Sequence, residues 1–183
     1  MKIRYDYATE NDAYGIAYVS AHSWKETYTG LLSNEYLDNR IFDITNKIEK
    51  TKEFLKSFNG EYIVAKDNDK VIGILAFGPT KEEKYKEYGH LEAIYVLKGY
   101  QGIGIGKELF KNAVEGLKKM GYSKMYLECM VGNKTLNFYK KYNGVVESQI
   151  DFPINGVGTV RVDVVLFDDL NKILLMLNES KNY

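Results

Sequence analysis

The segment that most constrains the fold of this chain runs from Gln101 to Lys107 and has glycine at positions 102, 104 and 106. An apolar run, LEAIYVL at 91–97, precedes it, and the helical pattern IGKELFKNAVEGLKKM at 105–120 follows it. Glycines in such a turn let backbone N–H groups approach an anion closely, and a helix N-terminus favours negative charge. The order strand, loop and helix therefore predicts an α/β fold with a site for phosphate or pyrophosphate.

Two common phosphate-binding patterns do not fit this loop. The dinucleotide pattern G-x-G-x-x-G would need glycine at Lys107 or at Leu109, depending on where it begins. The P-loop pattern would need glycine at Gln101 and serine or threonine at Glu108. Both a Rossmann site and a nucleoside triphosphatase are therefore disfavoured, and the pattern that does match is Q-x-x-G-x-G.

The rest of the chain alternates between strand-like and helix-like segments, without an internal repeat or a linker. Asn68 and Asp69 separate two β-rich runs and predict a hairpin turn. The predicted strands are 1–7, 60–67, 70–78, 91–97, 123–131, 145–150 and 159–167. The predicted helices are one after the capping residues 9–12, one capped by Ser33 with an apolar stripe over 36–55, and further ones at 105–120, 133–144 and 168–180.

Composition restricts the partners and the compartment. Twenty-five basic and 25 acidic side chains cancel, so no basic field would attract nucleic acid or an anionic membrane surface. No apolar run approaches the roughly 20 residues needed to span a bilayer. The single Cys129 excludes an internal disulfide, and the first residues lack a secretory signal. These features predict one cytoplasmic domain over residues 1–183 with neither a nucleic-acid nor a membrane partner.

Three segments resemble the GNAT acetyltransferases, in particular their single-domain bacterial type. Residues 91–110 resemble that family's fourth strand, pyrophosphate loop and third helix, and 126–145 resemble its fifth strand and the segment N-x-x-A-x-x-F-Y-x-x-x-G-F. The matches there are Asn133, Phe138, Tyr139 and Gly144. Residues 21–37 resemble the W-R-x-x-Y-x-G-L-L segment of a subgroup. Departures from the patterns, which suggest local repacking, occur at Leu136, Val145 and Lys98-Gly99.

The resemblance implies a mixed, mostly antiparallel central sheet of about seven strands, flanked by helices and splayed between strands four and five. It implies an N-acetyltransferase that moves the acetyl group of acetyl-CoA to a primary amine of a small molecule, polyamine or peptide, by direct attack in a ternary complex. No metal is implied, and a homodimer is compatible with the family. The alternative is a non-catalytic sensor module that keeps acyl-CoA as a ligand.

The resemblance also implies which residues bind the coenzyme. They belong to the end of the fourth strand, the glycine loop and the segment after the fifth strand: Ile94, Tyr95, Val96, Gln101, Gly102, Ile103, Gly104, Ile105, Gly106, Lys107, Asn133, Phe138 and Tyr139. Backbone N–H groups of 94–96 would polarise the thioester carbonyl. Asn133 would hydrogen-bond the pantetheine arm, although its position also suits a helix cap.

Amide formation requires a proton acceptor and a proton donor. An alkyl ammonium with a pKa near ~10.4 must lose a proton before it attacks, and the departing thiolate needs one. Tyr139, in the matched F-Y pair, is the candidate acid, with buried packing as the alternative. Strand alternation puts His90 and Glu92 on the face of Ile94 and Val96, so both are candidate bases. Glu92 is expected to be buried, whereas His90 is expected at a solvated strand end.

The acceptor pocket is the least determined part of the site. Trp24 and Tyr28 lie one helical turn apart and either line this pocket or pack the helix. Glu26 would attract a cationic amine or face water. A covalent route through Cys129 is disfavoured, because a lone cysteine among apolar residues is more often a small core residue.

Overall fold

The computed structural model describes residues 2–179, so the predictions for Met1 and for Ser180–Tyr183 lie outside the described residues. The strands are β1 Ile3–Tyr7, β2 Glu61–Asp67, β3 Lys70–Pro79, β4 Tyr88–Val96, β5 Lys124–Met130, β6 Val145–Ile154 and β7 Gly158–Phe167. The helices are α1 Ala13–Tyr28, α2 Asn34–Phe42, α3 Ile44–Ser57, α4 Ile105–Lys119, α5 Leu136–Lys141 and α6 Leu170–Glu179. Over this range no helix combines the length and the apolar character required to cross a bilayer.

The seven strands form one sheet in the order β1-β2-β3-β4-β5-β7-β6. β1 with β2, β5 with β7 and β6 with β7 are antiparallel pairs. β4 and β5 are parallel, with Tyr88–His90 opposite Lys124–Tyr126, and both strands continue past the paired residues. The predicted mixed, helix-flanked sheet of about seven strands is confirmed.

The chain divides into two compact units. The first comprises the chain up to Ala76 together with Ala93–Phe110, and the second comprises Phe77–Glu92 together with the chain from Lys111 onward. In the first unit, apolar residues on one face of α1 pack onto β2, β3 and the residue after β4. This cluster contains Ile16, Val19, Val64, Val71, Ile74 and Leu97. The apolar recurrence in α1 is thus explained by burial against the sheet.

Several local boundaries differ from the sequence prediction; β6, for example, extends to Ile154 rather than ending at residue 150. The helical stretch over 36–55 is interrupted at Asp43, whose φ of −89° and ψ of 10° depart from helical values and whose carboxylate accepts a hydrogen bond from the Asn46 side chain at 2.7 Å. β4 begins at Tyr88, so His90 lies inside the strand rather than at its solvated end. The short helix begins at Leu136, three residues later than predicted.

Candidate active site

The glycine loop lies between the end of β4 and α4 in the first unit. The Gln101 side-chain amide donates to the backbone carbonyl of Val96 at 2.8 Å and fixes the loop to the strand. Gly102 and Gly104 have φ angles of 79° and 93°, in the left-handed region that side chains with a Cβ rarely adopt. The Gly104 carbonyl then accepts from the Glu108 N–H at 3.0 Å, which begins α4.

The space around this loop is suitable for an anion. A Cβ added at Gly102 or Gly104 would meet nothing within 4 Å, so the backbone faces open space. The N–H groups of the first turn of α4 have no partner within the helix, which is inherent in helix geometry. Lys107 is half-buried, and within residues 2–179 it forms no ion pair. The loop therefore offers backbone donors, a helix N-terminus and a cation to a phosphate group.

The predicted acceptor residues on α1 contact the predicted coenzyme-binding segment of β4. The hydroxyl oxygens of Tyr28 and Tyr95 lie 3.2 Å apart. The Trp24 ring lies edge-on to the Tyr28 ring with centroids 4.8 Å apart, and the Arg40 guanidinium lies 3.9 Å above the Trp24 ring. Trp24 and Tyr28 are thus held together by packing, whereas Glu26 is exposed.

Neighbouring Ile94 and Tyr95 are half-buried, and Val96 is buried at 9% exposure. The predicted polarisation of a carbonyl by the backbone N–H groups of this segment stays a prediction.

His90 lies in a more ordered environment than the sequence suggests. Its Nε2 lies 2.8 Å from Oε2 of Glu128 on β5, and its ring stacks on Tyr126 with centroids 4.6 Å apart and planes at 9°. The side chains of His90 and Glu128 are only 19% and 17% exposed. Sequence reasoning missed Glu128 and Tyr126. The signal available was alternation, because Tyr126 and Glu128 are two residues apart and lie on the same face of β5. In the parallel register His90 is opposite Tyr126, so this face of β5 lies beside His90.

Glu92 is exposed, so the expectation of a buried carboxylate on β4 is wrong. Leu91 is buried in the core at 3% exposure, and successive residues of a strand face opposite sides, so Glu92 faces away from that core. Among the described residues, Glu92 forms no ion pair or side-chain hydrogen bond. Because Glu92 is exposed to solvent, burial gives no reason for a carboxylate at this position. Its role as a base stays a prediction.

The segment after β5 positions Asn133, Phe138 and Tyr139 in the second unit. Tyr139 is 6% exposed, and its ring centroid lies 5.6 Å from that of Phe138 and 6.3 Å from that of Phe167. The Oδ1 of the Asn133 side chain accepts a hydrogen bond from the Thr135 N–H at 2.9 Å. Since Thr135 is the N-cap residue of α5, Asn133 stabilises the turn before the helix rather than capping it.

Cys129 is buried and has the character of a core residue. Burial, together with the nearby Asp163 carboxylate, raises the pKa of its thiol to about 11. The thiol is therefore protonated at neutral pH, when only a thiolate would attack a thioester. Within residues 2–179, no group of three or more histidine, cysteine or acidic side chains is arranged to hold a metal ion.

Comparison with known proteins points to one family. A model described as the acetyltransferase (GNAT) family matches residues 21–145, which is more than half of the chain. The chain is also similar to an uncharacterized N-acetyltransferase of Bacillus subtilis, with 29% identity over 167 residues that cover 91% of this chain and 94% of that protein.

Solved structures share the fold. A crystal structure of an N-acetyltransferase from Thermoplasma acidophilum in complex with coenzyme A superposes with a TM-score of 0.64 at 21% identity, covering 89% of this chain and 99% of that one. The acetyltransferase of the GNAT family from Streptococcus pneumoniae gives a TM-score of 0.66 at 21% identity, with coverage of 91% and 98%.

Proposed function

Because the chain belongs to the GNAT acetyltransferase family and is accordingly an acyltransferase, we propose that it transfers the acetyl group of acetyl-CoA to a primary amine by direct attack in a ternary complex. The acceptor is an amine of a small molecule, a polyamine or a peptide. The observation that carries the proposal is the loop from Gln101 to Lys107, whose left-handed glycines open α4. The similar structure with bound coenzyme A supports the same ligand here.

The coenzyme is proposed to be bound by backbone groups more than by side chains. The loop N–H groups and Lys107 bind the pyrophosphate, because donors at a helix N-terminus stabilise negative charge without a cost of reorganisation. The N–H groups of Ile94–Val96 polarise the thioester carbonyl. Asn133 and Phe138 contact the pantetheine arm. No metal is needed, because the carbonyl is activated by hydrogen bonds.

The reaction requires two proton movements. The neutral amine attacks the carbonyl carbon, the bond between carbon and sulfur breaks, and the thiolate takes a proton from the Tyr139 hydroxyl. The amine nitrogen loses its surplus proton to a base. A tyrosine phenol has an ordinary pKa of about 10, so it carries its proton at neutral pH. It can donate this proton in the transition state to the departing sulfur, whose thiol has an ordinary pKa of about 8.5.

Two residues of β4 remain candidates for the base. His90 has a carboxylate partner in Glu128, which holds the imidazole in one orientation. Glu92 is exposed and would act through water. The ordered pair formed by His90 and Glu128 favours His90, because a base is effective when its orientation is fixed before the reaction.

The rival function is a sensor that binds acyl-CoA and does not turn it over. A panel of primary amines, incubated with acetyl-CoA and followed by release of free thiol, distinguishes the two. We expect thiol release that depends on an amine and is lost in Tyr139→Phe. If the protein binds coenzyme A but releases no thiol with any amine class, the sensor alternative is supported and transferase activity is contradicted.

We further propose that the protein acts as one domain over residues 1–183 in the cytoplasm, and that it forms a homodimer. The cytoplasmic assignment is supported by a single cysteine that is free and buried. Light scattering over a range of protein concentrations tests the dimer. A constant mass equal to one chain would contradict it.

A further inference from the structure

A cleft of about 320 Å³ opens between α1 and α3 in the first unit, away from the residues proposed for catalysis or coenzyme binding. Its polar lining consists of Ser20, Arg40, Lys47, Lys50 and Thr51, and its apolar lining comes from α1, Phe54 and Tyr62. We propose that this cleft binds a small organic anion, a carboxylate or phosphate joined to an apolar body. The site lies beyond the proposed acetyl transfer and does not depend on it.

The three cations of the cleft lack carboxylate partners. Between residues 2 and 179 no ion pair involves Arg40, Lys47 or Lys50. Other lysines of the same helix are paired: Lys52 with Glu49 at 2.7 Å and Lys56 with Glu10 at 3.2 Å. Among the lysines of α3, the unpaired ones are therefore those that line the cleft.

Arg40 has unused hydrogen-bonding capacity. Its terminal nitrogens reach only the hydroxyls of Tyr36 and Ser20, at 3.3 and 3.4 Å, which are long for charged donors. Its Nε is buried, and among the described residues it has no partner. Because a buried donor without an acceptor is costly, an anion with two oxygens would satisfy this guanidinium.

The charges in the cleft repel one another. Burial lowers the pKa of the Lys47 ammonium, the charges of Arg40 and Lys50 lower it further, and only Asp43 acts in the opposite direction. Asp43 is already engaged with Asn46 at 2.7 Å. Like charges that are partly removed from water destabilise the empty cleft, and a bound anion relieves this repulsion.

The size and the apolar lining restrict the ligand class. Small-molecule sites begin at about 300 Å³ and combine a mainly apolar wall with a few polar groups, which describes this cleft. The exposed face of Phe54 and the wall of α1 suit a ring or a short alkyl chain. A polymeric anion is not expected, because the cations lie inside a cleft and the chain as a whole has no net charge.

The same anion could come from two sources. It could belong to an acidic acceptor of the acetyl group, since Arg40 contacts Trp24 and Trp24 contacts Tyr28 of the proposed acceptor wall. It could also belong to a separate effector that is never acetylated. Both sources require the same recognition by Arg40, Lys47 and Lys50.

Binding can be measured by calorimetry with three probes that share one ring: phenyl phosphate, phenylacetate and neutral benzyl alcohol. Saturating coenzyme A is present throughout, so that the glycine loop is filled and cannot bind the phosphate. We expect both anions to bind the wild-type protein and benzyl alcohol to bind at least about tenfold more weakly. Lys47→Gln and Lys50→Gln should each weaken anion binding by about tenfold or more.

Lys52→Gln is the matched control, because it removes the same charge from the same helix without altering the cleft lining. It should leave the anion affinity within about twofold of the wild-type value, because Lys52 does not line the cleft and is already paired with Glu49. Lys50 is exposed, so Lys50→Gln should remain folded even if Lys47→Gln does not. The proposal is overturned if no anion binds better than benzyl alcohol, or if Lys50→Gln binds like Lys52→Gln.

Kinetics then identify the source. For an acidic acceptor, Lys50→Gln should raise the KM for amines that carry a carboxylate or phosphate and leave the KM for uncharged amines unchanged. For an effector, it should change neither KM in the absence of the probe. The binding measurement needs no turnover, so a failure of the acetyltransferase proposal would leave this test intact.

Discussion

At the residue scale, the coenzyme loop depends on two backbone angles. Gly102 and Gly104 adopt positive φ, a backbone conformation in which successive N–H groups can form an anion-binding concavity. A side chain at either position would strain the backbone by about 1–2 kcal/mol and would also occupy the open space in front of the loop. The effect of backbone strain can be separated from the effect of blocking the loop, because Gly121 also has a positive φ but lies outside the loop.

Gly104→Val should lower the affinity for coenzyme A by about tenfold or more, because the branched side chain resists the left-handed angle and blocks approach to the N–H groups. Gly121→Val is the control: its φ is 96°, its Cβ also meets open space, and it follows α4 rather than opening it. Calorimetric titration should show normal affinity for this variant. Equal affinities in two folded variants would remove the loop from the coenzyme site.

Tyr139→Phe should reduce kcat by about 10²-fold with the affinity for acetyl-CoA nearly unchanged, because only the donated proton is lost. Tyr142→Phe is the matched control, since Tyr142 is 3% exposed, follows the same helix and has a ring 5.1 Å from Phe138. Steady-state and single-turnover rates measure the effect. If both variants lose the same modest factor while chemistry limits the rate, Tyr139 is a packing residue.

The base on β4 can be identified by the pH dependence of kcat/KM. If His90 accepts the proton, His90→Gln should depress kcat/KM at neutral pH and recover partly at alkaline pH, where free amine is abundant. The acidic limb of the wild-type profile should disappear with it. Glu128→Gln should lower kcat/KM at neutral pH as well, because it removes the carboxylate that holds the imidazole in one orientation.

Glu92→Gln serves as the comparison in the same strand. It should have little effect if His90 is the base, and it should show the alkaline recovery itself if Glu92 acts through water. Should neither variant recover at high pH, the proton leaves through solvent or another group, and a base on this strand is contradicted.

The position of the glycine loop between a strand and a helix was predicted correctly, because a local pattern decides it. Glycine spacing and the following helix were sufficient to locate the loop, because both are short-range features. The contact between His90 and Glu128 was missed, because 38 residues separate the two in sequence and the contact depends on which strands are neighbours in the sheet. The burial of Glu92 was misjudged for the same reason, since an apolar run does not reveal which face is covered.

At the scale of elements, α5 is fixed closely against β7. The turn after α5 places Asn143 at a φ of 65°, and Gly144 follows at a conventional angle. A Cβ at Gly144 would lie 2.8 Å from the carbonyl oxygen of Tyr139 and 2.8 Å from Cγ1 of Val165. The positive φ after α5 therefore belongs to Asn143, whereas Gly144 is required for close approach.

Gly144→Ala should lower the free energy of unfolding by about 1–3 kcal/mol, because the added methyl group meets backbone and core atoms that cannot move freely. Gly99→Ala is the control, since its Cβ would meet nothing within 4 Å. Urea unfolding compares the two variants. A loss of kcat in Gly144→Ala beyond its loss of stability would indicate that α5 positions Tyr139.

The elements themselves followed from the sequence more accurately than their ends. All seven strands lie where alternation and β-branched residues predicted them, and the turn at Asn68 takes a φ of 52°, which asparagine tolerates. The break at Asp43 was missed, because the apolar stripe continues through it and no glycine or proline marks it.

At the scale of the whole molecule, acid stability should depend on a few embedded carboxylates rather than on net charge. Asp12 is 6% exposed and accepts hydrogen bonds from Lys66 at 2.7 Å and from the Thr9 N–H at 2.9 Å. Burial raises the pKa of Asp12, but these hydrogen bonds outweigh it and lower the pKa below its ordinary value. The carboxylate therefore stabilises the fold in its ionised form.

Asp12→Asn should lower the free energy of unfolding by about 1–3 kcal/mol at neutral pH. Because the pKa of Asp12 is lower in the folded state than in the unfolded state, the ionised carboxylate stabilises the fold at pH values above the unfolded pKa of about 3.9. This stabilisation is lost as the pH falls through the folded pKa, so the difference in stability between Asp12→Asn and the wild type should shrink in acid. Asp6→Asn is the control, because Asp6 is 43% exposed and lies 3.9 Å from the same lysine. Urea unfolding across the acid range measures both, and a difference independent of pH would contradict the assignment.

Trp24 gives the molecule a built-in optical reporter, because it is the chain's single indole. Its ring contacts Arg40 on one side and Tyr28 on the other, and Tyr28 continues to Tyr95 on β4. Emission excited at wavelengths that spare the sixteen tyrosines should therefore respond both to an anion that engages Arg40 and to a donor that engages β4. The fluorescence of Trp24 could thus report the binding of both ligands in solution without a label. Quenching or a shift of the emission spectrum would show whether the contact with Arg40 or the contact with Tyr28 has changed.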